Sequence, residues 1–66
     1  MRGLVSWVKP REGYAEIVAA DGSCEVFIVK LDDVDITLLV GQRVTFEPGP
    51  KPPLAAKRPA IVVELI

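Results

Sequence analysis

Five short apolar segments, each bounded by a turn former, constrain this 66-residue chain more than any other feature. They fall at residues 4–8, 14–18, 25–29, 43–47 and 60–66. Lys9-Pro10-Arg11-Glu12-Gly13 separates the first two, with a proline that ends a strand and a glycine that permits a tight turn. Asp21-Gly22 follows the second and is a strong hairpin signal. The third, with Val26, Ile28 and Val29, is rich in β-branched residues. Strands at such spacing predict a small barrel or sandwich. Residues 31–35 are too few and too acidic for an α-helix and predict a single 3₁₀ turn. The proline-rich stretch 48–53 predicts a stiff, extended, exposed loop. A chain this short cannot fill two full sheets, whereas closing five strands on themselves removes exposed edges. The expected fold is therefore all-β, a small five-stranded antiparallel OB-fold barrel, with residues 1–66 as one domain.

Composition removes several classes of function. The chain has no histidine and a single cysteine, Cys24, so the commonest general base is missing and no metal site or internal disulfide can be assembled from cysteines. Asp32, Asp33 and Asp35 lack the glycine and terminal glutamate of a calcium loop and read as a solvated acidic turn. No nucleophile–base pair, cleft carboxylates or phosphate-cradling glycine loop is recognisable, so neither enzyme activity nor a cofactor is expected. No apolar run approaches the ~18 residues of a membrane span. Met1-Arg2-Gly3 leads straight into strand-like sequence, without the apolar core of a secretory signal. These features predict a cytoplasmic protein. Eight basic residues against nine acidic ones give a net charge of −1, unlike the basic excess of a duplex-DNA binder. Nucleic-acid binding by such a chain rests on stacking or on a local basic cluster.

Side chains alternate faces along a strand, and parity assigns them. In the second segment Ala15 and Ile17 read as inward, leaving Tyr14 and Glu16 outward. In the third, the charged Glu25 marks its own face as wet, which places Phe27 and Val29 outside and Val26 and Ile28 inside. Tyr14 and Phe27 then form an exposed aromatic pair on neighbouring strands, a platform on which unpaired bases can stack. Lys9 and Arg11 flank Pro10 in the first turn, where basic residues suit backbone phosphates, and Lys57-Arg58 could extend a basic rim.

The run Gly3-x-Val5-x-Trp7, then Gly13-Tyr14-x-x-Ile17, Asp21-Gly22 and Val26-Phe27-Ile28, resembles the cold-shock domain. Leu38-Leu39-Val40-Gly41-Gln42-Arg43-Val44-Thr45-Phe46-Glu47 is similar to that family's L-x-x-G-Q-x-V-x-F-E, and the last segment is similar to its A-V-N-V-x-x-I strand. The resemblance covers essentially the whole chain. It implies a five-stranded OB barrel that binds single-stranded RNA or DNA through two motifs, K-G-[FY]-G-F-I and V-F-V-H-F. Trp7, Tyr14 and Phe27 match its binding aromatics. Val8 and Glu12 stand where the family has phenylalanine and lysine, Glu16 replaces the second phenylalanine of the first motif, and Val29 and Lys30 fill the histidine and phenylalanine places of the second. Val62 stands at the asparagine of the last strand.

The resulting expectation is a nucleic-acid site of Trp7, Lys9, Arg11, Tyr14, Phe27 and Lys30, weak and with little sequence specificity because fewer rings stack and Glu16 is negative. A second reading makes the barrel a protein-interaction or self-associating module, a homodimer included, through an apolar patch of Val8, Phe27 and Val29.

Overall fold

A computed structural model of the chain describes residues 1–50 and 57–66. The turn formers separate the strands where the sequence placed them: β1 (Arg2–Lys9), β2 (Tyr14–Ala19), β3 (Val26–Lys30), β4 (Arg43–Pro48) and β5 (Arg58–Leu65). A 3₁₀ turn, Leu31–Asp33, follows β3 directly. The five strands close into a barrel in the order β1-β2-β3-β5-β4. One part of the expected architecture is corrected. Four seams are antiparallel, but β3 and β5 run parallel, with Phe27 opposite Arg58 and Ile28 opposite Pro59. Because β5 enters the wall between β3 and β4, its direction is fixed by β4, and the remaining seam must be parallel. The sheet is mixed.

The core lies inside this wall. Val5, Ile17, Phe27, Val29, Val44 and Phe46 are its largest fully buried side chains, and no polar side chain joins them among the described residues. The rings of Phe27 and Phe46 meet with centroids 4.7 Å apart and planes tilted by 59°, within the range aromatic pairs favour. Leu38 is buried at one end, with Leu31, Val34 and Ile36 packed partly against the same cluster. Gly3 is required by this packing: a Cβ there would lie 2.5 Å from Ile17 Cγ2 and 2.9 Å from the Val18 carbonyl oxygen.

Asp21-Gly22 makes a turn, though a wider one than the two-residue hairpin it advertises. Asp21 Oδ1 accepts from the Ser23 amide (3.0 Å) and hydroxyl (2.6 Å), and Cys24 takes a positive φ of 56° before β3 begins. Pro48 closes β4, and the Gly49 amide donates to the Pro59 carbonyl at 2.8 Å. The stiff loop expected over 48–53 lies largely outside the described residues. The one helical element described is a three-residue turn, and among the described residues no helix is long and apolar enough to cross a membrane.

Candidate nucleic-acid interface

The outer face of β1, β2 and β3 is organised as rows across the strands. Lys9 stands opposite Tyr14, and Tyr14 opposite Lys30. The next row runs Trp7, Glu16, Ile28, and the one after it Leu4, Val18, Val26. Directly opposed side chains in an antiparallel pair lie ~4.5–5.5 Å apart at Cβ, so each row is a line of contacts. The Tyr14 ring, exposed, therefore lies between two lysines.

Trp7 owes its place to a β-bulge. The register shifts between Val5 and Trp7, leaving Ser6 as the extra residue opposite the step from Ile17 to Glu16. Such an insertion re-aims the residues that follow it. Val5 points into the core, and the indole of Trp7, half-buried, lies on the outer face beside Glu16. Two ammonium groups approach it: Lys9 Nζ is 5.1 Å and Lys57 Nζ 5.8 Å from the ring centroid, both within cation–π range. The parallel β3–β5 seam is what brings Lys57 here. It stations the start of β5 beside β3, one residue beyond Lys57.

Glu16 sits at the middle of this surface and is not a bare charge. Lys57 Nζ donates to Oε2 at 2.8 Å, and the Ser6 hydroxyl donates to Oε1 at 2.7 Å. The ammonium of Lys57, then the hydroxyl of Ser6, hold its carboxyl below the usual glutamate range. The expected negative interruption is thus locally neutralised, by a contact between residues 41 apart in sequence.

Of the residues expected to bind, the structure gathers Trp7, Lys9, Tyr14 and Lys30 on one face. Arg11 is exposed in the adjoining turn, and Lys9 also lies 3.8 Å from Glu12 there. Phe27 is the correction. It is 0% exposed, at the centre of the core, and so is not half of an outward pair with Tyr14. The reason is register. Phe27 lies opposite Ile17 and Val29 opposite Ala15, and directly opposed residues share a face. Since Ala15 and Ile17 point inward, so must Phe27 and Val29. Glu25 misleads because it precedes β3, at the rim, where even an inward position meets water. The apolar patch of Val8, Phe27 and Val29 does not exist as a surface either: Val29 is buried and Val8 packs partly against the core.

The same register turns over the second motif: the residues matched to it, Val26 to Lys30, keep their places in sequence, but Phe27 and Val29 face the core. Ile28 and Lys30 then take the outward places. A slip of one residue moves a whole strand to its opposite face, and only the partner strand reveals it. Ile28 is the surface residue the sequence reading left out, and the pairing of Ala15 and Ile17 could have found it. Lys57, expected only as an extension of a basic rim, instead lies against Glu16 and Trp7, a contact nothing local could have found.

No family model matches the chain. Individual curated proteins do. It is 41% identical over 61 residues to cold shock-like protein CspI of Escherichia coli (strain K12), covering 83% of this chain and 86% of that protein. To cold shock-like protein CspB of the same strain it is 43% identical over 61 residues, covering 85% of this chain and 86% of that protein. Identity of this extent, spread over a closed five-stranded barrel whose outer face carries Trp7 and Tyr14 among lysines, means that the chain belongs to the cold-shock protein family.

Proposed function

We propose that this barrel binds single-stranded RNA or DNA across the outer face of β1–β3, with Trp7 and Tyr14 stacking on successive bases and Lys9, Lys30, Lys57 and Arg11 drawing the phosphates. The observation that carries this reading is the interleaving of rings and ammonium groups in adjacent rows. Stacking gives affinity that tolerates any base, and clustered lysines supply the electrostatic share in a chain whose net charge gives none. Two rings at ~1–3 kcal/mol each support a modest affinity. The protein acts here as a cytoplasmic binding module of one domain rather than an enzyme. The self-association reading loses the patch on which it rested.

Trp7, the only tryptophan, is the reporter. Titration with a pyrimidine-rich oligonucleotide at low salt should quench its fluorescence, and added salt should weaken the binding as phosphate contacts are screened. Tyr14→Ala should weaken it by roughly 5- to 150-fold, the loss of one stacked base. Absence of quenching at high micromolar oligonucleotide would sink the proposal.

A further inference from the structure

The Trp7–Glu16–Ile28 row puts a carboxylate directly beside the indole and one row from Tyr14, within reach of the edge of a base stacked on Trp7. From this placement we infer that Glu16 is a specificity-determining residue of the nucleic-acid site proposed above, on which the inference rests, and that it selects guanine over thymine or uracil.

An ionised carboxylate only accepts hydrogen bonds, at about four lone-pair positions on its two oxygens. Among the described residues Ser6 uses one position on Oε1 and Lys57 one on Oε2, and Trp7 adds a weaker hydrogen bond, so the bidentate contact needs the position that Lys57 gives up when it turns away. Lys57, then Ser6 and Trp7, hold the group ionised. Glu16 is only 13% exposed at its side chain, but Lys57, one of the two groups bonded to it, is 44% exposed and long enough to turn toward a phosphate.

Base edges differ in what they offer to such a group. Guanine presents two adjacent donors, N1–H and the N2 amino group, matched in spacing to a carboxylate. Thymine and uracil present a single N3–H between two carbonyl oxygens, which face the acceptor oxygens of the carboxylate with nothing to donate. Cytosine and adenine each present one amino donor beside a ring-nitrogen acceptor. Sequence-specific reading of single strands uses such edges, with stacking supplying the rest. A phenylalanine at this place would add stacking and no edge discrimination.

The test uses the intact chain and three thymidine oligonucleotides of about seven nucleotides, a length within the span of one such barrel. Their central base is guanine, inosine or thymine, inosine being guanine without its amino group. Trp7 quenching should show the guanine strand bound about tenfold tighter than the thymine strand, the worth of one bidentate pair, with inosine between them. In Glu16→Gln the preference should collapse to within about twofold, chiefly because the guanine strand loses its second hydrogen bond and binds less tightly. Glu16→Phe should bind all three more tightly and equally. Equal binding of the three strands by the unaltered protein overturns the inference and leaves the binding function standing. An unchanged guanine preference in Glu16→Gln also overturns it. No quenching by any strand removes the function itself, and the inference with it.

Discussion

The barrel wall carries two bulges, and they serve different ends. In β1 the extra residue is Ser6, which turns the indole of Trp7 onto the outer face and donates to Glu16 at 2.7 Å. In the β4–β5 seam the register shifts between Thr45 and Glu47, and β5 holds the surplus at Val62, which takes a φ of 52° and is 60% exposed. A bulge sharpens the twist that a short closed sheet needs. Both therefore help close the wall. Only the first contributes to the aromatic surface; around the second stand Ile61, Leu65, Glu47 and Glu64, and Phe46 at the shift turns its ring inward while its carbonyl accepts from the N-terminal ammonium at 2.6 Å. A backbone irregularity demanded by closure becomes useful where its residue is small and polar, and strained where it is β-branched.

The largest effect should come from breaking what the two seams share. Phe27 of β3 and Phe46 of β4 meet in the middle of the barrel, so both seams lean on them. Phe27→Ala should cost about 3–5 kcal/mol, a large part of the stability of a domain this size. Urea denaturation measures it, and Phe27→Leu, a smaller loss, keeps a folded variant in hand. Tyr14→Ala, outward on the neighbouring strand, should move stability by no more than ~0.5 kcal/mol while weakening binding. A Phe27→Ala protein that melts like its parent and merely binds less would return Phe27 to the outer face.

Next in size is relief of the second bulge. A β-branched residue in the left-handed region is strained by roughly 1–2 kcal/mol, whereas asparagine adopts that region readily. Val62→Asn should therefore stabilise the barrel by about 1 kcal/mol, a rise in Tm of ~4–8 °C, and leave oligonucleotide binding unchanged. The family's own residue at this place in the last strand is asparagine, which fits the same geometry. A Tm that falls would mean that Val62 contributes packing its exposure does not show.

How much of this was legible beforehand follows from the range of each interaction. Turn formers act locally, so all five strands stood in the sequence near their final bounds. Parity gave β2 correctly, because Glu16 lies inside the strand, and failed for β3, because Glu25 lies outside it. The bound partner of Glu16 could not be read at all. Lys57 arrives through the parallel seam, which alternation within single strands does not encode. Thus Tyr14 and Lys9 were found from patterning, Trp7 and Lys30 from resemblance, and the neutralised centre of the surface only from the closed wall.

The smallest expected effect sharpens the account of the first bulge, since it concerns the polar link that Ser6 and Lys57 make there. Glu16 is held below the ordinary glutamate value of about 4.3 in the folded chain, by Lys57 first and Ser6 second. The unfolded chain therefore takes up this proton at a higher pH than the folded one does. Unfolding binds protons in that interval, so stability rises with pH there. The contribution of Glu16 is fully present above about pH 4.3 and is lost as pH falls through the folded value below it. Because Lys57 is well exposed, screening limits the pair to under about 1 kcal/mol. Asp21 is also lowered, by the Ser23 hydroxyl and then its amide, and adds to the same acid-side slope. Thermal melts between about pH 3 and pH 7 separate the two. Glu16→Gln should flatten part of the slope, Asp21→Asn another part, and the double variant both. High salt should shrink the Glu16 share, which rests on an ion pair, more than the Asp21 share, which rests on neutral donors. A slope untouched by Glu16→Gln would mean that the carboxylate is not anchored at the first bulge, and the two bulges would then differ in strain alone.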